Sequence, residues 1–99
     1  MQNWYTKSVE ELCDAILSLN TREECAAFLE DICTIKEIQD ISQRLQVAQM
    51  LSNRISYSVI CKETGASTAT ISRVSKCYEY GAGGYKTVLA RLNEEKNNA

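Results

Sequence analysis

The chain has no histidine and no proline, one phenylalanine, one tryptophan and four glycines among its 99 residues. Without histidine, the side chain best suited to moving protons near neutral pH is missing, and a zinc site would have to be built from thiolates alone. No Ser-Lys or paired-carboxylate arrangement stands at a spacing that would supply another base, so the sequence does not read as an enzyme. Without proline, long helices can run uninterrupted. No apolar run approaches the roughly 18 residues that suggest a membrane span, and the opening MQNWYTKSVEEL lacks the cationic-then-apolar order of a secretory leader. These absences predict a soluble, cytoplasmic protein with no membrane partner, no cofactor and no metal.

Five cysteines (Cys13, Cys25, Cys33, Cys61 and Cys77) are many for this length, yet none forms a C-x-x-C pair and their odd number does not suit a disulfide framework. They read as small buried apolar residues of a reducing compartment, with Cys77, near the end of a predicted helix, open to a redox role. An apolar share of 44% against 24% charged residues describes a chain that folds. The net charge of −2 conceals a segregation: residues 1–40 hold nine acids and three bases, residues 41–99 eight bases and four acids. The acidic half suits solvent or a protein partner; the basic half suits phosphates.

Three S/T-x-x-E signatures punctuate the first half: Ser8 with Glu11, Thr21 with Glu24 and Thr34 with Glu37. In each, the hydroxyl can accept from an amide in the first turn while the carboxylate reaches back, so helices are predicted to start near Val9, Arg22 and Ile35. Val9, Leu12, Cys13, Ile16 and Leu19 form one apolar stripe, and Cys25, Phe28, Leu29 and Ile32 a second. Ile35, Ile38, Ile41, Leu45, Ala48, Met50 and Leu51 carry the longest helix to Asn53. All three stripes read as core. Ser56 is placed to cap a fourth helix over Tyr57–Glu63, and a fifth runs from Thr68 to about Tyr78. After the break at Gly81, Gly83 and Gly84, a final helix over Tyr85–Glu95 presents Val88, Leu89 and Leu92, and residues 96–99 read as a frayed tail. YGAGGYK lacks the Lys-Ser/Thr of a phosphate-binding loop and follows no strand, so it reads as a hinge. No strand pattern occurs anywhere, and the predicted class is all-α.

The most telling segment is Tyr57 to Lys76, YSVICKETGASTATISRVSK. Gly65 sits where two short helices need a sharp turn and a residue free to take a positive φ. Ile60, Cys61, Ala66, Ile71 and Val74 fall on the inward positions around it. Ser67 can cap the second helix, leaving Thr68, Ala69, Thr70, Ser72 and Arg73 outward or on the edge that would face a groove. Small polar side chains with a guanidinium can reach base edges and phosphates without bulk. Arg54, Lys62 and Lys76 add positive charge around them. The segment reads as a helix-turn-helix that binds duplex DNA.

The string G-A-S-T-A-T-I-S-R at residues 65–73 resembles the helix-turn-helix of the Trp repressor, where G-A-x-x-A-T-I-T-R stands. The likeness extends upstream through Thr34, the long third helix and Arg44, over about two thirds of the chain, and in detail the sequence looks most like the Trp-repressor-related YerC/YecD family. The resemblance implies a six-helix subunit that intertwines with a second copy in a homodimer. It implies a single domain over 1–99, with dimerisation helices at 1–53, the helix-turn-helix at 56–78 and a C-terminal helix at 84–95. It also implies an effector pocket: Arg44 and Arg73 match the arginines that face the ligand, Thr34 matches a threonine at the pocket edge, and Val74 and Cys77 adjoin them. Val74 stands where the tryptophan-binding repressor has glycine, and its side chain is expected to take the space beside the indole. The expected function is therefore sequence-specific DNA binding by a transcriptional regulator, read as a repressor, that does not respond to tryptophan and whose effector is unknown. The alternative is a protein-interaction or adaptor module of the same fold without DNA specificity.

Overall fold

The computed structural model describes residues 3–98. Six helices follow in order: α1 Lys7–Leu17, α2 Arg22–Ile32, α3 Ile35–Ser52, α4 Tyr57–Thr64, α5 Thr68–Tyr80 and α6 Gly84–Asn98. Among the described residues there is no strand, and the six-helix, all-α architecture is the one expected. Among the described residues, no helix is long and apolar enough to cross a membrane.

Local hydrogen bonds explain where the helices begin. Thr34 and Glu37 form the full reciprocal pair at the start of α3: the Glu37 amide donates to Thr34 Oγ1 (3.1 Å), and the Thr34 amide to Glu37 Oε1 (2.8 Å). At α2, Thr21 Oγ1 accepts from the Glu24 amide (3.1 Å), but the Glu24 carboxylate reaches one residue further back, to the Asn20 amide (2.8 Å). At α1 the expected Ser8–Glu11 pair gives way to Thr6, which lies extended and accepts from the Val9 amide (3.3 Å), leaving Ser8 inside the helix. α5 runs two residues past Tyr78, and α6 reaches from Gly84 to Asn98 where a frayed tail was expected from 96; residue 99 lies outside the described residues.

The chain divides into two compact units, one ending at Ile38 and the other beginning at Gln39, so the boundary falls inside α3. In the first unit, α1 and α2 bury none of their residues. Their stripes, expected as core, stay open: Ile16 and Ile32 are each 52% exposed, and Leu12 and Leu29 each 39%. The expectation of buried cysteines is corrected as well. All five are free thiols, with Cys13, Cys25 and Cys77 exposed and Cys33 and Cys61 half-buried: Cys13 and Cys25 sit on helices that bury none of their residues, and Cys77 lies on the open side of α5.

The second unit holds the core. Val47 and Ala48 of α3, Ile60 of α4, Ala66, Ile71 and Val74 around the turn and α5, and Leu89 of α6 are buried together; Leu45, Met50, Leu51, Ile55, Cys61, Tyr78 and Tyr85 pack around them. Gly65 ends α4 at φ 74°, its amide donating to the Cys61 carbonyl (2.9 Å), which turns the chain into α5. Thr64 Oγ1 donates to the Ile60 carbonyl (2.7 Å) and accepts from the Ala66 amide (3.1 Å), and Gln43 Nε2 of α3 donates to the Thr64 carbonyl (3.1 Å). α3 ends differently. The Ile55 amide donates to the Met50 carbonyl and the Arg54 amide to the Leu51 carbonyl, both at 3.0 Å. This is the Schellman pattern, and at the left-handed place that glycine usually fills stands Arg54, φ 61°.

Candidate nucleic-acid interface and an adjoining cavity

α5 is built from its cap outward. Ser67 lies extended and its Oγ accepts from the Thr70 amide (3.1 Å), so the helix starts at Thr68. From there the helix has two opposite sides. Ile71 is fully buried and Val74 3% exposed, so one side is fixed to the core. Ser67, Thr68, Ala69, Ser72, Arg73 and Lys76 are all exposed. Thr70 departs from that row: it is half-buried and its hydroxyl accepts from Ser67 Oγ (3.1 Å). Arg54, just before α4, and Lys62, in the last turn of α4, are exposed too. The second unit carries eight bases against five acids, the first three bases against eight acids. Lys86 on α6 stands apart in its contact, its Nζ 5.6 Å from the centre of the Tyr78 ring.

Beside the core-facing side of α5 lies a cavity of about 450 Å³. Asp40, Gln43 and Arg44 of α3 form one wall, Thr70, Arg73, Val74 and Cys77 of α5 another, and Tyr85 of α6 closes it. Four of the five residues expected around an effector therefore meet here. The fifth, Thr34, belongs to the first unit, where its hydroxyl caps α3. Val74 lies on this wall, 3% exposed. Its side chain is spent in the core with Val47, Ala48 and Ile60, and it forms only part of the wall. Sequence reasoning missed Asp40, Gln43 and Tyr85, and expected Thr70 only on the groove-facing edge. Asp40 was within reach, since it lies one helical turn before Arg44 and shares its face. Tyr85 carried no signal, because the glycine turn that returns α6 decides where it lands.

The Tyr85 hydroxyl titrates above its ordinary 10.0: burial raises it first, Cys77 adds to the rise, and the Arg44 guanidinium opposes both. At neutral pH it is a neutral donor and acceptor in a wall with two guanidiniums. Such a cavity offers cationic donors for a small anion and a phenol that can give or take one hydrogen bond. A second, mostly apolar cavity of about 540 Å³ adjoins it, lined by Ile41, Leu45, Ala82 and Val88 and sharing Arg44, Cys77 and Tyr85.

Residues 7–93 match a family model described as Trp repressor protein. The chain is 48% identical over 93 residues to the Bacillus subtilis (strain 168) protein named "Uncharacterized protein YerC", covering 94% of this chain and 89% of that one. Among solved structures it is similar to a candidate Trp repressor from Staphylococcus aureus, with TM-score 0.89, 48% identity and coverage of 94% and 95% of the two chains. It is also similar to a TrpR-like protein from Eubacterium eligens ATCC 27750, with TM-score 0.87, 50% identity and coverage of 90% and 92%.

Proposed function

The chain belongs to the Trp repressor family, and from that membership we propose that it is a homodimeric transcriptional regulator binding duplex DNA with sequence preference through α5. One observation carries this reading: α5 is held to the core through Ile71 and Val74 while its outer row offers Ser67, Thr68, Ala69, Ser72, Arg73 and Lys76 to solvent. A helix fixed on one side and lined on the other with small polar groups and cations has what a major groove requires. The positive balance of the second unit supports the same partner.

The pair of subunits is supported by the apolar rows that one chain leaves open on α1 and α2. We further propose that tryptophan is not the effector. Val74 stands where the tryptophan-binding member of the family has glycine, and on the cavity wall its side chain narrows the space that a glycine would leave open. With Ile71 and Val74 buried in the core, α5 is held ready to bind without a ligand. Selection of bound sequences from a random duplex pool tests the whole reading. The expected result is an enriched site of two related halves about 10 base pairs apart. No enrichment, together with no salt-dependent retention of duplex, would leave the adaptor reading in its place.

A further inference from the structure

We infer that Arg54 is a phosphate anchor, kept in a strained turn for its charge. The inference rests on the duplex-binding reading above. Three observations meet at this residue. Its φ of 61° is the sole positive value of a non-glycine residue among those described. The backbone bonds that end α3 there, Arg54 amide to Leu51 carbonyl and Ile55 amide to Met50 carbonyl, use no atom of its side chain. Finally, the side chain is exposed and, among the described residues, makes no hydrogen bond, ion pair or ring contact. Glycine would make the same turn with the same two bonds and without a Cβ pressed toward the neighbouring carbonyl. The fold gains nothing from arginine here.

Strain held at an exposed residue with no internal partner points outside the molecule. What a solvated guanidinium offers is a fixed positive charge and a planar set of donors matched to carboxylate or phosphate. The position selects phosphate. Arg54 lies three residues before Tyr57, the first residue of α4, and Lys62 stands in the last turn of that helix, so exposed cations bracket α4 at both ends. In a docked helix-turn-helix the first helix lies across the sugar-phosphate backbone while the second enters the groove. Arg54 thus adds affinity from outside α5 and carries no base preference of its own.

The test compares Arg54→Gly and Arg54→Lys with the unchanged full chain. Thermal melting is measured on each, and binding to a labelled mixed-sequence duplex of about 30 base pairs is followed by anisotropy from about 50 to 200 mM salt. Arg54→Gly should melt a few degrees higher because the turn is relieved. It should also bind about three- to ten-fold more weakly at about 100 mM salt, and its plot of log affinity against log salt should be shallower by about one unit per subunit. Arg54→Lys should keep that slope. A glycine variant with the original slope and affinity would overturn the inference while leaving duplex binding in place, as would a lysine variant that loses as much slope as glycine. A glycine variant that melts lower would remove the strain on which the argument stands. Failure of the unchanged chain to bind duplex at all would overturn the duplex-binding reading and this inference with it.

Discussion

Val74 shows how one side chain can serve a core and a cavity wall at once. At 3% exposure, in the middle of α5, it is buried in one cluster with Val47 and Ala48 of α3, Ile60 of α4 and Leu89 of α6. Val74→Gly removes that packing and places a flexible residue inside a helix, and the two effects together should destabilise the fold by about 3 kcal/mol, read by chemical denaturation. Calorimetry of the unchanged protein with millimolar L-tryptophan should give no binding heat, and duplex affinity should not move when it is added. Saturable heat that tightened the DNA complex would mean that the remaining cavity, not the valine, governs. That Val74 would be buried was legible from its spacing to Ile71; that a cavity of about 450 Å³ would survive beside it was not, since its walls come from three helices. Tyr85 supplies a second test at this scale. Its hydroxyl is raised above 10.0, chiefly by burial, so the stability tied to its neutral form is complete below that value and is lost as the pH climbs through the raised one. Of the five tyrosines, one should form tyrosinate later than the others by ultraviolet absorbance. Tyr85→Phe should abolish that late step; five tyrosines titrating together would show that the hydroxyl is not sheltered.

Elements were legible where a local bond decides them and illegible where a neighbour does. Thr34 and Glu37 name their helix start because both hydrogen bonds close within four residues. Ser8 misled because Thr6, two residues earlier, offers an equivalent hydroxyl, and nothing in the spacing alone ranks the two. The end of α5 lies at Gly81, whose amide still donates to the Cys77 carbonyl (2.9 Å). There the chain runs so close to the Cys77 carbonyl that a Cβ would collide with it, so the turn after Tyr80 needs glycine. Gly81→Ala should therefore shift the return of α6 and lower the melting temperature by more than an exposed helix substitution would, a difference that a melting curve resolves. For α5 as a unit, its outer row makes separable demands. Lys76→Ala should lower duplex affinity uniformly across sequences and reduce the salt dependence by about one unit for each phosphate that the lysine neutralises. Arg73 faces both the outer edge and the cavity, so Arg73→Ala should also weaken binding. If the double variant kept both affinity and salt dependence, α5 would not be the DNA-contacting element.

At the scale of the molecule, the periodicities of α1 and α2 show which residues are apolar together, but a single sequence does not say whether its own chain covers them. Here it does not: Ile16 and Ile32 are each 52% exposed, Leu12 and Leu29 each 39%, and Ile35 at the start of α3 is 65% exposed. Rows of this kind are rarely left in water by a chain that remains alone. A second copy presents the same rows, and a twofold pair can bury each against the other. The expected solution mass is then twice the 11.1 kDa of one chain, and the melting temperature should rise with protein concentration, because folding and association are linked. Ile16→Glu separates the two cases sharply. On a monomer a glutamate at a half-exposed helix position changes stability by about 0.5 kcal/mol or less. Across a dimer interface it would bury a carboxylate without a partner, so dissociation and unfolding should both follow at micromolar concentration. Sedimentation equilibrium at several concentrations, run on the unchanged chain and on this variant, distinguishes them. A species of one-chain mass whose melting is indifferent both to concentration and to Ile16→Glu would show that these rows are simply solvated, and would remove the twofold geometry on which a site of two half-sites depends.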